Sequence, residues 1–110
     1  MSILKLFGFT SRSEKIEKAL EKGAVVVDVR TPQEYKHGHI KGSLNIPLDR
    51  ISSQAGKLAA KNKVIITTCR SGARSASAAA MLRSAGMDAI NGGAWTSLRS
   101  TINPQTKKAS

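Results

Sequence analysis

Short apolar runs alternate with amphipathic stretches along this chain. The two strongest runs are Ala24-Val25-Val26-Val27-Asp28-Val29 and Val64-Ile65-Ile66-Thr67-Thr68. Both are rich in β-branched residues, bounded by turn signals and apolar on both faces of a pleat. They predict strands of a sheet covered on both sides. Leu44-Asn45-Ile46 before Pro47, and Met87 to Asn91, read as weaker strands.

The intervening segments carry helix signals. Ser11-Arg12-Ser13-Glu14 has the spacing of a capping box, Ile16, Ala19 and Leu20 follow at helical intervals, and Gly23 supplies a stop. This predicts a helix over about 13–22. Thr31-Pro32-Gln33-Glu34 combines an N-cap, a proline at the first helical position and a capping glutamate, opening a short helix that ends near Gly38. Asp49 caps a third predicted helix over about 50–61, with Ile51, Ala55 and Leu58 on one face. Gly56 weakens it by about 1 kcal/mol relative to alanine. An Ala- and Ser-rich segment predicts a helix over about 73–85, closed by Gly86. Gly92-Gly93 reads as a turn, and Trp95, Leu98 and Ile102 fit one face of a last helix that Asn103-Pro104 breaks. The alternation predicts an α/β fold: a small parallel sheet flanked by helices on both faces. It is one domain over 13–103, with an N-terminal extension over 1–12 and a flexible tail over 104–110. Within the extension, Ile3, Leu4, Leu6 and Phe7 are expected to pack on the core as a strand or a helical turn.

Composition narrows the partners. Lys and Arg number 18 against 7 Asp and Glu, a formal net charge of +11. That excess attracts small oxyanions, acidic protein surfaces or nucleic acid. The positive residues form no block, and one Trp, one Tyr and two Phe are too few for a base-stacking platform. Nucleic acid is therefore disfavoured. No apolar stretch approaches the roughly 20 residues that span a bilayer, and Lys5 interrupts the apolar N-terminus, so no signal core forms. One cysteine excludes an internal disulfide and a multi-cysteine zinc site. It also suits a reducing compartment. The expected location is cytoplasmic, without membrane, cofactor or metal.

That single cysteine lies in Thr67-Thr68-Cys69-Arg70-Ser71-Gly72-Ala73-Arg74-Ser75, between a predicted strand and a predicted helix. Backbone N–H groups that open a helix favour negative charge. With Arg70 and Arg74 beside it, Cys69 is expected to be a partly exposed thiol of lowered pKa in an anion-binding turn. The plainer alternative is a small buried hydrophobe at a strand end, with solvated arginines beside it. The Asp28–Arg30 segment also falls at a strand's carboxyl end, where ligands of parallel sheets bind.

Three segments together resemble the rhodanese-like family. Asp28-Val29-Arg30-Thr31-Pro32-Gln33-Glu34-Tyr35 with Gly38-His39-Ile40-Lys41-Gly42-Ser43-Leu44-Asn45-Ile46-Pro47 is similar to its N-terminal signature. Cys69 to Ser75 is similar to its active-site loop, and Asn91-Gly92-Gly93-Ala94-Trp95 to its closing segment. The resemblance implies a thiosulfate sulfurtransferase. Cys69 would take sulfur from thiosulfate or a persulfide donor as a persulfide. It would then pass that sulfur to cyanide or to a thiol, including one on an acidic protein. Arg70, Ser71, Gly72, Ala73, Arg74 and Ser75 would bind substrate, the two arginines holding its oxyanion end. Asp28, Arg30, Glu34 and His39 would brace the fold beside the loop, and Trp95 would belong to the core. The reading requires an ionised sulfur within reach of solvent. Its rivals are a non-catalytic or persulfide-relay interaction module and a cysteine-dependent phosphatase. The phosphatase loop places arginine sixth after cysteine; here Ser75 holds that place and Arg74 comes one residue early.

Overall fold

In the computed structural model, which describes residues 11–103, Val25–Asp28 form the first strand, β1. The helix before it, α1 (Arg12–Glu21), is capped by Ser11, whose hydroxyl accepts from the Glu14 N–H at 3.1 Å. After β1, Thr31 and Glu34 complete the predicted capping box, and α2 runs over Pro32–Lys36. Next come β2 (Leu44–Asn45), a 3-10 turn (Leu48–Arg50) and α3 (Ile51–Ala60). They are followed by β3 (Ile65–Cys69), α4 (Ala73–Ser84), β4 (Ala89–Ala94) and α5 (Trp95–Ile102). The expected packing of Ile3, Leu4, Leu6 and Phe7 lies outside the described residues.

All pairings are parallel, in the order β2-β1-β3-β4. Side chains of a strand alternate between faces, and both faces are covered. Val27, Val29, Ile65 and Cys69 pack with Ile51, Leu58, Ala78, Ala79 and Leu82 from α3 and α4. Val26, Ile66 and Ile90 pack with Ile16, Ala19 and Leu98 from α1 and α5. The α/β sheet with helices on both faces is thus observed. The many alanines of α4 let its backbone lie close to β3 and β4.

Two local expectations fail. Asp49 does not cap α3: the chain enters that helix through the 3-10 turn, and Arg50 at the N-cap position makes no side-chain capping bond. Gly92 and Gly93 are strand residues of β4, not a turn. The pairing passes from Thr67↔Asn91 to Cys69↔Ala94, so β4 carries one extra residue opposite the end of β3. Such a bulge bends a strand and aims its neighbours. Glycine serves here for close approach. A Cβ on Gly92 would lie 2.8 Å from Ile66 Cγ2, 2.8 Å from the Thr67 carbonyl oxygen and 3.0 Å from Leu98 Cδ2.

Gly92→Ala is therefore expected to destabilise the fold by about 1–3 kcal/mol through overpacking. Gly56→Ala, in open space on α3, should stabilise it by about 0.4–1 kcal/mol. Urea unfolding of both variants measures the contrast, and equal midpoints would refute it.

Candidate active site

The turn between β3 and α4 wraps its backbone around one sulfur atom. Gly72, with φ +100, occupies the left-handed region at the N-cap of α4, which favours glycine. That conformation accompanies a Gly72 N–H donated to Cys69 Sγ at 3.0 Å. The Ser75 N–H lies 3.4 Å from the same sulfur and Ser75 Oγ lies 3.3 Å from it. These donors belong to the first turn of a helix twelve residues long, where amide groups lack intrahelical partners.

The loop is fastened at both ends. Thr67 Oγ1 donates to the Ser75 carbonyl at 2.7 Å, and Thr68 Oγ1 donates to the Gly93 carbonyl at 2.7 Å. Asn91 on β4 receives the Ser75 hydroxyl at 2.7 Å and the Gly93 N–H at 2.9 Å on Oδ1, and its Nδ2 donates to the Gly72 carbonyl at 3.1 Å. Asn91 has no role in the sequence reading beyond its place in the closing segment. Its contacts depend on the bulge that brings β4 against the loop, and no spacing in the sequence reports that bulge.

Burial corrects one expectation. Cys69 is not partly exposed: its exposure is 0% in this conformation. Burial pushes its pKa up. Hydrogen bonds from the Ser75 hydroxyl and the Ser75, Gly72 and Ser71 N–H groups outweigh burial, and the pKa falls below the ordinary thiol value. A lowered pKa thus accompanies an enclosed sulfur, and the dominant donors are backbone and hydroxyl groups rather than guanidinium ions.

The flanking charges are largely committed. Arg74 forms a bidentate pair with Glu34 on α2, at 2.8 and 3.0 Å, so its guanidinium is not free in this conformation to hold an oxyanion. The hydrogen bond from Arg74, then that from the Thr31 N–H, lowers the Glu34 pKa to about 2. Arg70 and Ser71 are exposed beside the loop. Asp28 and Arg30 form a buried ion pair, at 0% and 4% exposure, with the shortest contact 2.7 Å. Arg30 also donates to the Gly38 carbonyl at 2.7 Å, and its guanidinium lies 4.7 Å from the Trp95 ring centroid. His39 is exposed, stacked on Tyr35 at 3.7 Å. Trp95 packs partly buried against the α1–α5 core.

Two outcomes follow from this geometry. The Glu34 carboxyl has a lower pKa folded than the ordinary 4.5, so the unfolded chain binds its proton first as acid is added. The stabilisation by Glu34 is present above pH 4.5 and is lost as pH falls from 4.5 through about 2. Melting from pH 6 down to about 2 should show a steeper loss in the parent protein than in Glu34→Gln; parallel curves would exclude the linkage. Enclosure of the sulfur should also make native Cys69 discriminate by reagent size. The rate of iodoacetamide relative to a bulky dye maleimide should exceed the same ratio in urea by at least about tenfold, because access needs local opening. Equal ratios would mean an open thiol.

Comparison with known proteins gives this geometry a lineage. The family model for the rhodanese-like domain matches residues 13–94. The thiosulfate sulfurtransferase GlpE of Pseudomonas fluorescens is 38% identical over 77 residues, 70% of this chain and 70% of that protein. The uncharacterized protein YqhL of Bacillus subtilis is 33% identical over 78 residues, which are 71% of this chain and 61% of that protein. Among solved structures, reduced Bacillus anthracis CoADR-RHD superposes with a TM-score of 0.67 at 36% identity, covering 84% of this chain and 16% of that one. Several relatives are thus longer than the matched region. With its parallel sheet, its loop between β3 and α4 and this match, the chain belongs to the rhodanese-like domain family.

Proposed function

We propose that this chain is a sulfurtransferase in which Cys69 accepts sulfane sulfur and hands it to a thiol, or to cyanide in the test tube. The observation that carries the reading is the set of N–H and hydroxyl donors converging on Cys69 Sγ at 3.0–3.4 Å. A thiolate is the attacking form of cysteine, and those donors favour it. Thiosulfate is the donor we favour, because a relative 38% identical is named for it.

The thiolate attacks the outer sulfur of thiosulfate. A Cys69 Sγ–S bond forms, the S–S bond of thiosulfate breaks, and its electron pair leaves on sulfite. Cys69 then carries a persulfide anion. Cyanide or an acceptor thiolate attacks the terminal sulfur, and the thiolate of Cys69 departs with the bonding pair. Charge balances in both steps, so no separate general base is needed. The amides of Ser71, Gly72 and Ser75 serve thiolate and persulfide alike, since preorganised donors need no rearrangement to meet an anion. Arg70 draws the sulfonate end of the donor. Arg74 acts through its clamp on Glu34 and adds its charge to the field of the loop. The basic surface suits an acidic protein as donor or acceptor. Asp28, Arg30 and Glu34 keep the neighbouring strand end and α2 in place; His39 serves its own segment by stacking on Tyr35.

Complete burial of Cys69 requires the loop to open before the donor reaches the sulfur. The same burial is the one observation that favours a non-catalytic interaction module. Intact mass after incubation with thiosulfate separates the two. A gain of about one sulfur atom is expected. It should be absent in Cys69→Ser and reversed by cyanide with release of thiocyanate. No gain in protein whose Cys69 is shown by alkylation to be reduced would favour the module.

A further inference from the structure

Asn91 touches two of the residues that donate to the sulfur, Gly72 and Ser75. Its Nδ2 donates to the carbonyl of Gly72 at 3.1 Å, and the Gly72 N–H is the closest donor to Cys69 Sγ. Its Oδ1 accepts from the hydroxyl of Ser75 at 2.7 Å, and that hydroxyl oxygen lies 3.3 Å from Sγ. The Gly93 N–H, donating to the same Oδ1 at 2.9 Å, settles which end of the amide is which. Among the described residues, Cys69 and Asn91 are the side chains that bond both Gly72 and Ser75.

We propose that Asn91 is a positioning residue for Cys69, holding Gly72 and Ser75 in register on the sulfur. The Ser75 hydroxyl has one hydrogen and two acceptors in reach. With Cys69 a thiol, S–H can be donated to Ser75 Oγ while Ser75 donates to Asn91. With Cys69 a thiolate, the hydroxyl turns to the sulfur, and Oδ1 keeps the Gly93 N–H. Neither state leaves a buried acceptor bare, so the change of partner is cheap. Meanwhile Nδ2 holds the carbonyl of Gly72, the residue whose N–H serves the sulfur in both states.

This deepens the reading of Cys69 as the reactive thiol, and it is tested without any sulfur donor. The pKa of Cys69 is read from iodoacetamide alkylation rate against pH, in the full chain, for the parent, Asn91→Ala, Ser75→Ala and the double variant. The charged groups around the loop are Arg70 and Arg74, Asp28 and Arg30 at the end of β1, and Glu34 on α2; all are unchanged in these variants. Asn91→Ala should raise the pKa by about one unit, the scale of one hydrogen bond to a charged group. The rise caused by Ser75→Ala should be smaller in the Asn91→Ala background, because neighbours that act through each other do not add.

A pKa unchanged or lowered in Asn91→Ala, or equal Ser75→Ala increments in both backgrounds, overturns the proposal, whatever happens to the melting temperature. Should Asn91→Ala fail to fold, Asn91→Ser decides: it adds no charge and is too short to hold both Gly72 and Ser75. A raised pKa supports the proposal and an unchanged one overturns it. The assignment of sulfur transfer fails separately, by the absence of a persulfide.

Discussion

Burial and hydrogen bonding pull Cys69 in opposite directions, and the rest of the fold determines which prevails. A thiol enclosed among apolar side chains would stay protonated. Here it is enclosed, yet its pKa falls. The donors prevail because their backbone is held. Thr67 and Thr68 point to opposite faces of β3, and their hydroxyls bond the carbonyls of Ser75 and Gly93. The loop is thus tied to α4 on one side and to β4 on the other by consecutive residues of one strand. Donors fixed before the charge appears gain more from it than donors that must first be ordered.

A second brace works from outside. Glu34 Oε1 accepts from the Thr31 N–H and from Arg74 Nη1, so one carboxylate both caps α2 and clamps α4. At about a third exposed on each side, such a pair contributes little energy. Its value is geometric: it joins the helix that follows the loop to the helix that follows the neighbouring strand. The cost is that Arg74 meets a carboxylate already present, and the direct donors to the sulfur are the loop amides and the Ser75 hydroxyl. Asp28 and Arg30 repeat the pattern at greater depth, with Arg30 also bonded to the Gly38 carbonyl and placed against Trp95. Pairing and hydrogen bonding of this kind are what permit a guanidinium to be buried.

The sequence exposed what depends on short spacing. Strands of β-branched residues, the Thr31–Glu34 capping box and a cysteine at a strand-to-helix turn are local patterns, and each falls within a residue or two of its expected place. Other features depend on distant partners and were hidden. Gly92 and Gly93 carry the usual marks of a turn, but their freedom serves the close approach of β4 to Ile66, Thr67 and Leu98. Arg74 looks like a substrate ligand until a residue 40 positions away is found against it. Asn91 lies 22 residues beyond Cys69 in the chain, and only the bulge in β4 brings it to the loop.

Charge is arranged by residue type. Arg12, Arg30, Arg50, Arg70 and Arg74 lie at strand ends or helix starts on the carboxyl side of the sheet, while Arg83 bonds the Ala89 carbonyl at the other end. Lys22, Lys61 and Lys63 also lie at that other end. Guanidinium is the group suited to planar oxyanions and carboxylates, and a field of several such groups raises the local concentration of any anion. Attraction of this kind is unselective. The sulfur lies beneath the rim, enclosed beside a loop pinned by Asn91, Thr67 and Thr68. In the transfer we propose, steering and reaction are therefore separate events governed by different residues: arginines outside set how often an anion arrives, and the stiffness of one turn sets which arrivals meet the thiolate.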